Sequence, residues 1–240
     1  MKRIILSLTL LLAIAIGVNA QKTYALLVGV STYQNSQMNL GNTTKDAKDL
    51  KKVLDLQRMK TTLITSRYAN VANVRQKLNT IVNGATENDR IIFYFSGHGG
   101  PGIFCCYDDN FEYNELVNIL SRAKAKEVYC FVDACHSGSA QNSANANYGW
   151  AQGRNMIFCM ACRPEEYSWE NNFIGHGYFT KAMIKGLRGK ADTNADKTIT
   201  MGELYKYIYA DVTHRTHGDD GQHPQLIGPK SMYNGIMAKW

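Results

Sequence analysis

Two stretches of the sequence decide the fold: RIIFYFSGHGG at residues 90–100 and EVYCFVDACHSG at residues 127–138. Each begins with an almost unbroken apolar run, and each run ends abruptly in small and polar residues. A short apolar run bounded in this way is typical of a strand that is buried on both faces of a parallel sheet. Because the carboxyl ends of parallel strands meet at one edge of a sheet, we expect His98 and Cys135 to lie near each other.

The rest of the chain alternates between strand-like and helix-like patterns. Short apolar runs predict strands, and apolar residues spaced three and four apart predict the helices between them. This alternation is typical of a mostly parallel sheet covered by helices on both faces. The sequence therefore predicts an α/β fold: a three-layer α/β/α sandwich around a mostly parallel, about six-stranded sheet. The predicted strands are 24–30, 61–65, 90–96, 127–133, 156–161 and 225–227, and the predicted helices are 43–56, 71–82, 113–123, 178–187 and 201–212.

Residues 1–20 have the layout of a secretory signal peptide. A positive region at residues 2–3 precedes an almost wholly apolar stretch at 4–18, and the small residue Ala20 stands at a suitable cleavage position. The apolar stretch is short for a membrane span, although an uncleaved N-terminal anchor is the alternative. We therefore expect an exported chain, periplasmic or secreted, without stable membrane insertion and with a mature domain at 21–240.

Composition and cysteine spacing bear on nucleic-acid binding, disulfides and metal sites. The formal net charge is +7, but the lysines and arginines are scattered, so no nucleic acid is expected to bind. Six cysteines in an exported chain suggest disulfides, yet a mature chain of about 220 residues can bury a sizeable core without them. No repeated spacing resembles a zinc site, so no metal ligands are assigned. Five cysteines are expected to be mostly buried, their disulfide status left open: Cys105, Cys106, Cys130, Cys159 and Cys162.

His98 and Cys135 have the chemistry of a nucleophile and its acid–base partner. A thiol attacks a carbonyl as the thiolate, and a neighbouring imidazole can take its proton and later pass it to the leaving amine. Glycines around His98 leave room for a substrate, and the amides of Gly99 and Cys135 can form an oxyanion hole. Structural roles for both residues are the alternative that the pattern alone leaves open.

The two stretches also resemble the signature blocks of the caspase superfamily, in its metacaspase and paracaspase branch. The blocks are FSGHG at 95–99 and VDACHSG at 132–138, and GYFT at 177–180 is similar to a block of that family's small subunit. The resemblance implies a caspase-like cysteine endopeptidase that acts through a thioacyl-enzyme, with His98 and Cys135 as catalytic dyad and His136 as a mere neighbour. It also implies a monomer. Residues 139–155 are rich in Ser, Asn, Ala, Gln and Gly without apolar periodicity, which predicts a mobile loop that divides a single domain into a large portion at 21–138 and a small portion at 156–240.

The residue two positions before the thiol bears on which bond is cut. True caspases have Gln at the place of Asp133, and a carboxylate there favours Arg or Lys at the P1 position of the substrate over Asp. By resemblance, Asp46 in KDA at 45–47 is a second pocket acid and Glu166 (or Glu165) a third. Arg is expected ahead of Lys, because two carboxylates can hold one planar guanidinium. The alternatives are a structural hydrogen-bonding role for Asp133 and a helix-dipole role for Asp46.

Two further features leave questions open. The segment DTNADKTITMGE at 192–203 has the oxygen spacing of an EF-hand calcium loop, but Lys197 stands where that loop needs Gly. The predicted chemistry requires no cofactor. The loop at 192–203 is expected either to bind calcium or to cap the helix that follows it. Arg154 is a candidate self-cleavage site. The competing functions are a non-catalytic caspase-fold binding or regulatory protein and a calcium-dependent interaction module; the candidate calcium ligands are Asp192, Asn194, Asp196 and Glu203.

Overall fold

The computed structural model of the protein describes residues 21–135, 137, 155–171, 175–217 and 221–240. The longer strands and the helices follow one another in the order that the hydrophobic pattern predicts. The strands are β1 Thr23–Gly29, β2 Lys60–Thr65, β3 Arg90–Ser96, β4 Gly99–Gly100, β5 Ile103–Cys105, β6 Asn110–Glu112, β7 Glu127–Asp133, β8 Met156–Met160, β9 Glu170–Asn171, β10 His176–Gly177, β11 Thr198–Thr200, β12 Gln225–Ile227 and β13 Ile236–Lys239. The helices are α1 Thr43–Leu56, α2 Val71–Gly84, α3 Tyr113–Leu120, α4 Tyr178–Lys185 and α5 Met201–Arg215.

Six of these strands form the central sheet in the order β12-β8-β7-β3-β1-β2. The pairs among β2, β1, β3, β7 and β8 are parallel, and only β12 runs antiparallel, against β8. Strands from before and after residues 139–154 therefore share one sheet. The mostly parallel six-stranded sheet confirms the predicted α/β sandwich.

The apolar pattern of β3 places one helical layer on each face of the sheet. Phe93 and Phe95 belong to a core with α2 and α3, whereas Ile92 and Tyr94 belong to a second core with α1, α4 and α5. Neighbouring residues of a strand point to opposite faces, so an unbroken apolar run supplies both cores at once. This is why the strand has no polar side between Arg90 and Ser96.

Three small sheets add detail that the sequence did not predict. They are the antiparallel sets β4-β5-β6, β9-β10 and β11-β13, and each of their strands has two to four residues. Strands of this length contain too few residues to show an alternating pattern. The set β4-β5-β6 lies directly after His98 and β9-β10 lies before α4, so both border the end of the sheet that bears the candidate dyad.

All six cysteines are free thiols, and no disulfide forms among them. Cys106, Cys130, Cys159 and Cys162 are buried, as expected, while Cys105 and Cys135 are half-buried. Within the described residues, none of the helices has the length and apolar character needed to cross a bilayer. The leader predicted at 1–20 lies outside those residues, so export stays a prediction.

The packing of β1 against α1 gives a test of the fold. A side-chain carbon at Gly29 would lie 2.6 Å from Thr43 O and 2.8 Å from Ala47 Cβ, so Gly29→Ala forces the strand and helix apart. We expect the free energy of unfolding to fall by about 1–3 kcal/mol. The measurement is urea denaturation followed by circular dichroism.

Gly84→Ala is the matched control, because no atom lies within 4 Å of the added carbon at the end of α2. This substitution should leave the free energy of unfolding unchanged or raise it by up to about 1 kcal/mol, since Gly is more flexible in the unfolded chain. Equal midpoints for the two variants would contradict the described contact between β1 and α1.

Candidate active site

The candidate dyad lies where two adjacent parallel strands end. Ser96 at the end of β3 pairs with Asp133 at the end of β7, and the amide of Gly97 donates to the carbonyl of Asp133 over 3.2 Å. His98 and Cys135 each follow two residues after this last pair. The parallel register therefore brings the two predicted residues to neighbouring positions on one edge of the sheet.

Gly99 allows the two strand ends to approach closely. A side-chain carbon at this position would lie 2.9 Å from Ala134 Cβ and 3.0 Å from Cys135 O, which is closer than real contacts allow. Glycine is thus required by the approach of one backbone to the other. The amides of Gly99 and Cys135 belong to adjacent segments, as the predicted oxyanion hole needs.

The connection between β1 and α1 holds the imidazole of His98. Its Nε2 lies 2.8 Å from the carbonyl oxygen of Met38, its backbone amide donates to the hydroxyl of Tyr33 over 2.8 Å, and the two rings lie 5.1 Å apart. A carbonyl only accepts, so Nε2 must carry the proton in this contact. In the neutral ring Nδ1 then has the lone pair, and it is the nitrogen able to take a proton from a thiol.

Cys135 lies half-buried beneath the segment that follows β8. Its Sγ is 3.8 Å from the carbonyl oxygen of Ser168, a weak sulfur hydrogen bond. A second half-buried thiol, Cys105, lies close by, and its amide donates to the carbonyl of His98 over 2.9 Å. Burial raises the pKa of Cys105, and the nearby Cys135 adds to the rise, so Cys105 favours its protonated and less reactive form.

Asp133 is a buried carboxylate that only hydroxyl and amide groups hold. Ser168 Oγ donates to its Oδ1 over 2.5 Å, and Thr180 donates to its Oδ2 through both Oγ1 at 2.5 Å and the amide at 3.1 Å. Only 6 % of the residue is exposed. Burial, together with the charge of Asp46, raises the pKa of Asp133 to about 6, although these hydrogen bonds lower it. Among the described residues, Asp133 has no direct cationic contact to stabilise its ionised form, which predominates above a pH of about 6.

Asp46 reaches the same place from the first turn of α1. Its Oδ1 is 2.5 Å from His176 Nδ1, and its Oδ2 accepts from the amide of Gly177 over 3.1 Å. A side-chain carbon at Gly177 would lie 2.7 Å from Asp133 Oδ2 and 3.4 Å from Asp46 Oδ2, so Gly177 stands between the two acids. Burial raises the pKa of Asp46, and its hydrogen bonds oppose that rise. The carboxylate of Asp46 thus faces β10 and Asp133. This arrangement differs from the alternative in which Asp46 only complements the dipole of α1.

The sequence matches the family described as Caspase domain over residues 22–230. The chain belongs to the caspase-domain family. This membership confirms the caspase-like resemblance and the prediction of a cysteine-type peptidase.

Individual relatives agree with this family. The chain is 29 % identical over 145 residues to Metacaspase-1 of Eremothecium gossypii, covering 48 % of this chain and 32 % of that protein. It is 31 % identical over 87 residues to Vacuolar-processing enzyme of Citrus sinensis, covering 34 % of this chain and 17 % of that protein. The chain thus spans about a third or less of these relatives' lengths. The structure of Caspase-1 from Spodoptera frugiperda superimposes with a TM-score of 0.68 at 14 % identity, covering 91 % of this chain and 89 % of that chain, which confirms the fold alone.

The caspase-domain site includes four residues that sequence analysis missed. Ser168 and Thr180 hold Asp133, while His176 holds Asp46 and Tyr33 holds the backbone of His98. Their partners lie 35, 47, 130 and 65 positions away along the chain, so no local pattern reveals the contacts. Among these four residues, only Thr180 had a signal in the sequence, because it lies in the GYFT block at 177–180.

Glu166 lies with a different set of groups. Its Oε1 is 2.7 Å from His223 Nδ1, and its Oε2 accepts from the amides of His223 at 2.8 Å and Arg163 at 3.1 Å. These contacts hold the turn after β8 against the segment before β12. Glu165 is exposed. A pocket role for either residue stays a prediction, and the carboxylate of Glu166 is already engaged elsewhere.

The candidate calcium loop is closed by its own hydrogen bonds. Asp192 and Asp196 accept from amides within the loop, and Glu203 pairs reciprocally with Thr200 in a capping box at the start of α5. Lys197 adopts a φ of 63°, the conformation that favours Gly at this loop position. Within the described ranges, no group of three His, Cys, Asp or Glu side chains is arranged to hold a metal ion. Calcium binding by the loop stays a prediction.

Two residues from the sequence analysis, His136 and Arg154, lie outside the described residues. Most of the predicted loop at 139–155 does as well. The exclusion of His136 as the base therefore rests on the resemblance, and self-cleavage after Arg154 stays a prediction.

The raised pKa of Asp133 predicts a pH-dependent cost to stability. The folded chain binds this proton more tightly than the unfolded chain, where the ordinary value is 3.8, so stability is lost as the pH rises from about 4 through about 6. Asp133→Asn should remove that loss and stabilise the fold above pH 7 by on the order of 2–3 kcal/mol, because an amide can still pair with Ser168 and Thr180. Thermal unfolding from pH 4 to 8 measures the effect.

Glu87→Gln is the control, since it removes an exposed carboxyl from the loop before β3. Its difference from the wild type should stay constant across the pH range. A difference between Asp133→Asn and the wild type that is likewise constant would contradict the raised pKa.

Proposed function

We propose that the chain is an exported endopeptidase that hydrolyses polypeptides after Arg and, more slowly, after Lys. His98 and Cys135 act as its dyad, and the protein works as a monomer without a required cofactor. The observation that supports this proposal is the pair of buried carboxylates, Asp133 and Asp46, on either side of Gly177. The first of them stands two residues before the nucleophile.

The dyad performs acyl transfer in two halves. The proton of the Cys135 thiol moves to Nδ1 of His98, and the thiolate attacks the carbonyl carbon of the P1 residue. As the C–N bond breaks, His98 returns the proton to the leaving amine, and a thioacyl-enzyme remains. Water then attacks this thioester with His98 as base, which releases the carboxylic acid and restores the thiol. The Met38 carbonyl keeps Nε2 protonated, so the same nitrogen exchanges the proton in both halves.

Two backbone amides can stabilise the charge that develops on the carbonyl oxygen. Gly99 and Cys135 come from adjacent strand ends, and their amides do not need to rotate or shed water when the oxyanion forms. The close approach at Gly99 leaves no space for a side chain, so the segments that carry the two amides lie against each other before the substrate binds. Preorganised donors of this kind usually give the largest single contribution to acyl transfer.

The acidic pair favours a cationic P1 side chain. Asp133 is ionised near neutral pH, lacks a direct cationic contact among the described residues and is 6 % exposed. A guanidinium that takes the place of the Ser168 hydroxyl would relieve this uncompensated charge, and its planar fork can pair with both carboxylates. An ammonium pairs with fewer oxygens, and a P1 Asp would meet two like charges.

A panel of fluorogenic peptides with Arg, Lys and Asp at P1 tests the specificity. We expect kcat/KM to fall in that order and turnover of the Asp peptide to be undetectable. Asp133→Asn should lower kcat/KM for the Arg peptide by about 100-fold, because a buried charge partner is removed while the hydrogen bonds of the pocket remain. The panel is run with and without calcium to detect any requirement for the ion.

Cys135→Ala and Cys105→Ala separate the two half-buried thiols. The first should abolish cleavage and labelling by iodoacetamide at the active site, while the second should retain both. Faster turnover of the Asp peptide would overturn the pocket assignment. A wild-type chain that neither cleaves nor reacts at Cys135 would instead indicate a non-catalytic caspase-fold protein.

Export predicts the N-terminus of the mature chain. When the full sequence is expressed in a bacterial host, mass spectrometry of the exported fraction should show a chain that begins at Gln21, after cleavage following Ala20. A chain that keeps residues 1–20 and sediments with membranes would favour the uncleaved anchor.

A further inference from the structure

His176 connects the pocket acid Asp46 to the surface of helix α1. The imidazole is 4 % exposed, with Nδ1 2.5 Å from Asp46 Oδ1 and Nε2 2.7 Å from Lys45 Nζ. Lys45 Nζ in turn lies 2.8 Å from Asp49 Oδ2. The four side chains form a chain of polar contacts that runs from solvent to the pocket. The proposed reaction assigns no role to His176.

The two partners of the imidazole fix where its proton lies. An ammonium group only donates, so the nitrogen that faces Lys45 must present a lone pair. A carboxylate accepts, so the nitrogen that faces Asp46 carries the hydrogen. A second proton on Nε2 would face the ammonium of Lys45 across 2.7 Å, closer than Asp49 Oδ2 at 3.5 Å, so the repulsion between like charges is the stronger effect. The contacts therefore favour neutral His176 with its proton on Nδ1.

The charge state of His176 decides how much negative charge the pocket keeps. A neutral imidazole orients Oδ1 of Asp46 by a hydrogen bond, and the amide of Gly177 orients Oδ2. An imidazolium would form a buried ion pair with Asp46, and a cationic substrate would then have to compete with it. The charged groups around the ring are Lys45, Asp46 and Asp49 from α1, with Asp133 of β7 on the far side of Gly177.

We propose that His176 is the positioning residue of the P1 pocket, and that Lys45 keeps it neutral so that the charge of Asp46 stays unpaired with the imidazole and oriented toward a cationic side chain. This inference rests on the proposed cleavage after basic residues. His176 touches neither the substrate nor the reacting atoms, and it acts through Asp46. It adds a specificity role for a side chain 130 positions away from that acid.

Two substitutions at His176 separate its two contacts. The amide nitrogen of Asn occupies nearly the position of Nδ1, so His176→Asn keeps a donor for Asp46. The amide of Gln reaches the position of Nε2 instead, so His176→Gln meets Lys45 and leaves Asp46 Oδ1 without its donor. For the P1-Arg peptide we expect His176→Gln to raise KM about tenfold with kcat changed less than twofold, and His176→Asn to restore KM to within about threefold of the wild type.

Lys45→Met tests the claim that the ammonium keeps the imidazole neutral. Without this neighbour, a second proton on the imidazole would no longer face a like charge, and the imidazolium would pair with Asp46. The control is Lys48→Met, which removes an exposed lysine from the same helix. We expect the ratio of kcat/KM between Lys45→Met and Lys48→Met for the P1-Arg peptide to be near one at pH 8 and to fall severalfold at pH 6. A ratio that is equal at both pH values would overturn the role of Lys45.

The rate of Cys135 alkylation by iodoacetamide is the readout that distinguishes positioning from general damage, because this small reagent does not use the P1 pocket. It should be unchanged in all His176 and Lys45 variants. A parallel loss of alkylation and of peptide cleavage in both His176 variants would indicate a structural role and overturn the inference.

If the wild type cleaves after Arg and His176→Gln has the same KM as the wild type, this inference is wrong while the proposed function stands. A wild type that does not cleave after Arg overturns both.

Discussion

The parallel pairing of β3 with β7 is the constraint on which the rest of the site depends. It fixes Ser96 opposite Asp133, and the proposed dyad is placed by counting from that pair. Two residues onward come His98 and Cys135, and Asp133 itself is the proposed pocket acid. A shift of one residue in this register would turn the side chains of the shifted strand to the opposite faces of the sheet and so exchange the residues that fill the two cores. The apolar pattern that builds the two cores therefore also aligns the dyad.

The pocket is a place where function opposes stability. Asp46 is fully buried and Asp133 nearly so, and burial raises the pKa of both carboxyls, which means that ionisation destabilises the folded chain. Hydroxyl and amide donors from Ser168, Gly177 and Thr180 offset part of this cost without supplying a positive charge. A cationic substrate can supply it. For Asp133, which has no direct cationic contact among the described residues, the missing positive charge that lowers the stability of the fold would favour a basic side chain in the proposed pocket.

The sequence predicted the parts of the fold that depend on repeated local pattern. The bounds of α1, β3 and β7 agree with the structure residue for residue, because long or strongly apolar runs leave little choice of period, and those of the three-residue strand β12 agree as well. The small sheets were missed, since two or three residues cannot establish an alternation. In the site, the positions of His98, Cys135, Asp133 and Asp46 followed from strand ends and family blocks. The groups that hold them did not, because Ser168, His176 and Thr180 reach the acids through the tertiary fold.

A single connection couples the dyad to the pocket. The chain between β1 and α1 supplies Tyr33 and Met38 to His98, and the first turn of the helix that follows supplies Asp46. Gly29 allows this helix to lie against the end of β1, so the connection is held at both ends by close packing. Movement of α1 along the sheet would therefore shift Asp46. It would also alter the contact between the Met38 carbonyl and the protonated Nε2 of His98. In the proposed function, binding of the P1 side chain and proton transfer at the thiol would therefore both depend on the position of α1 and of the connection before it.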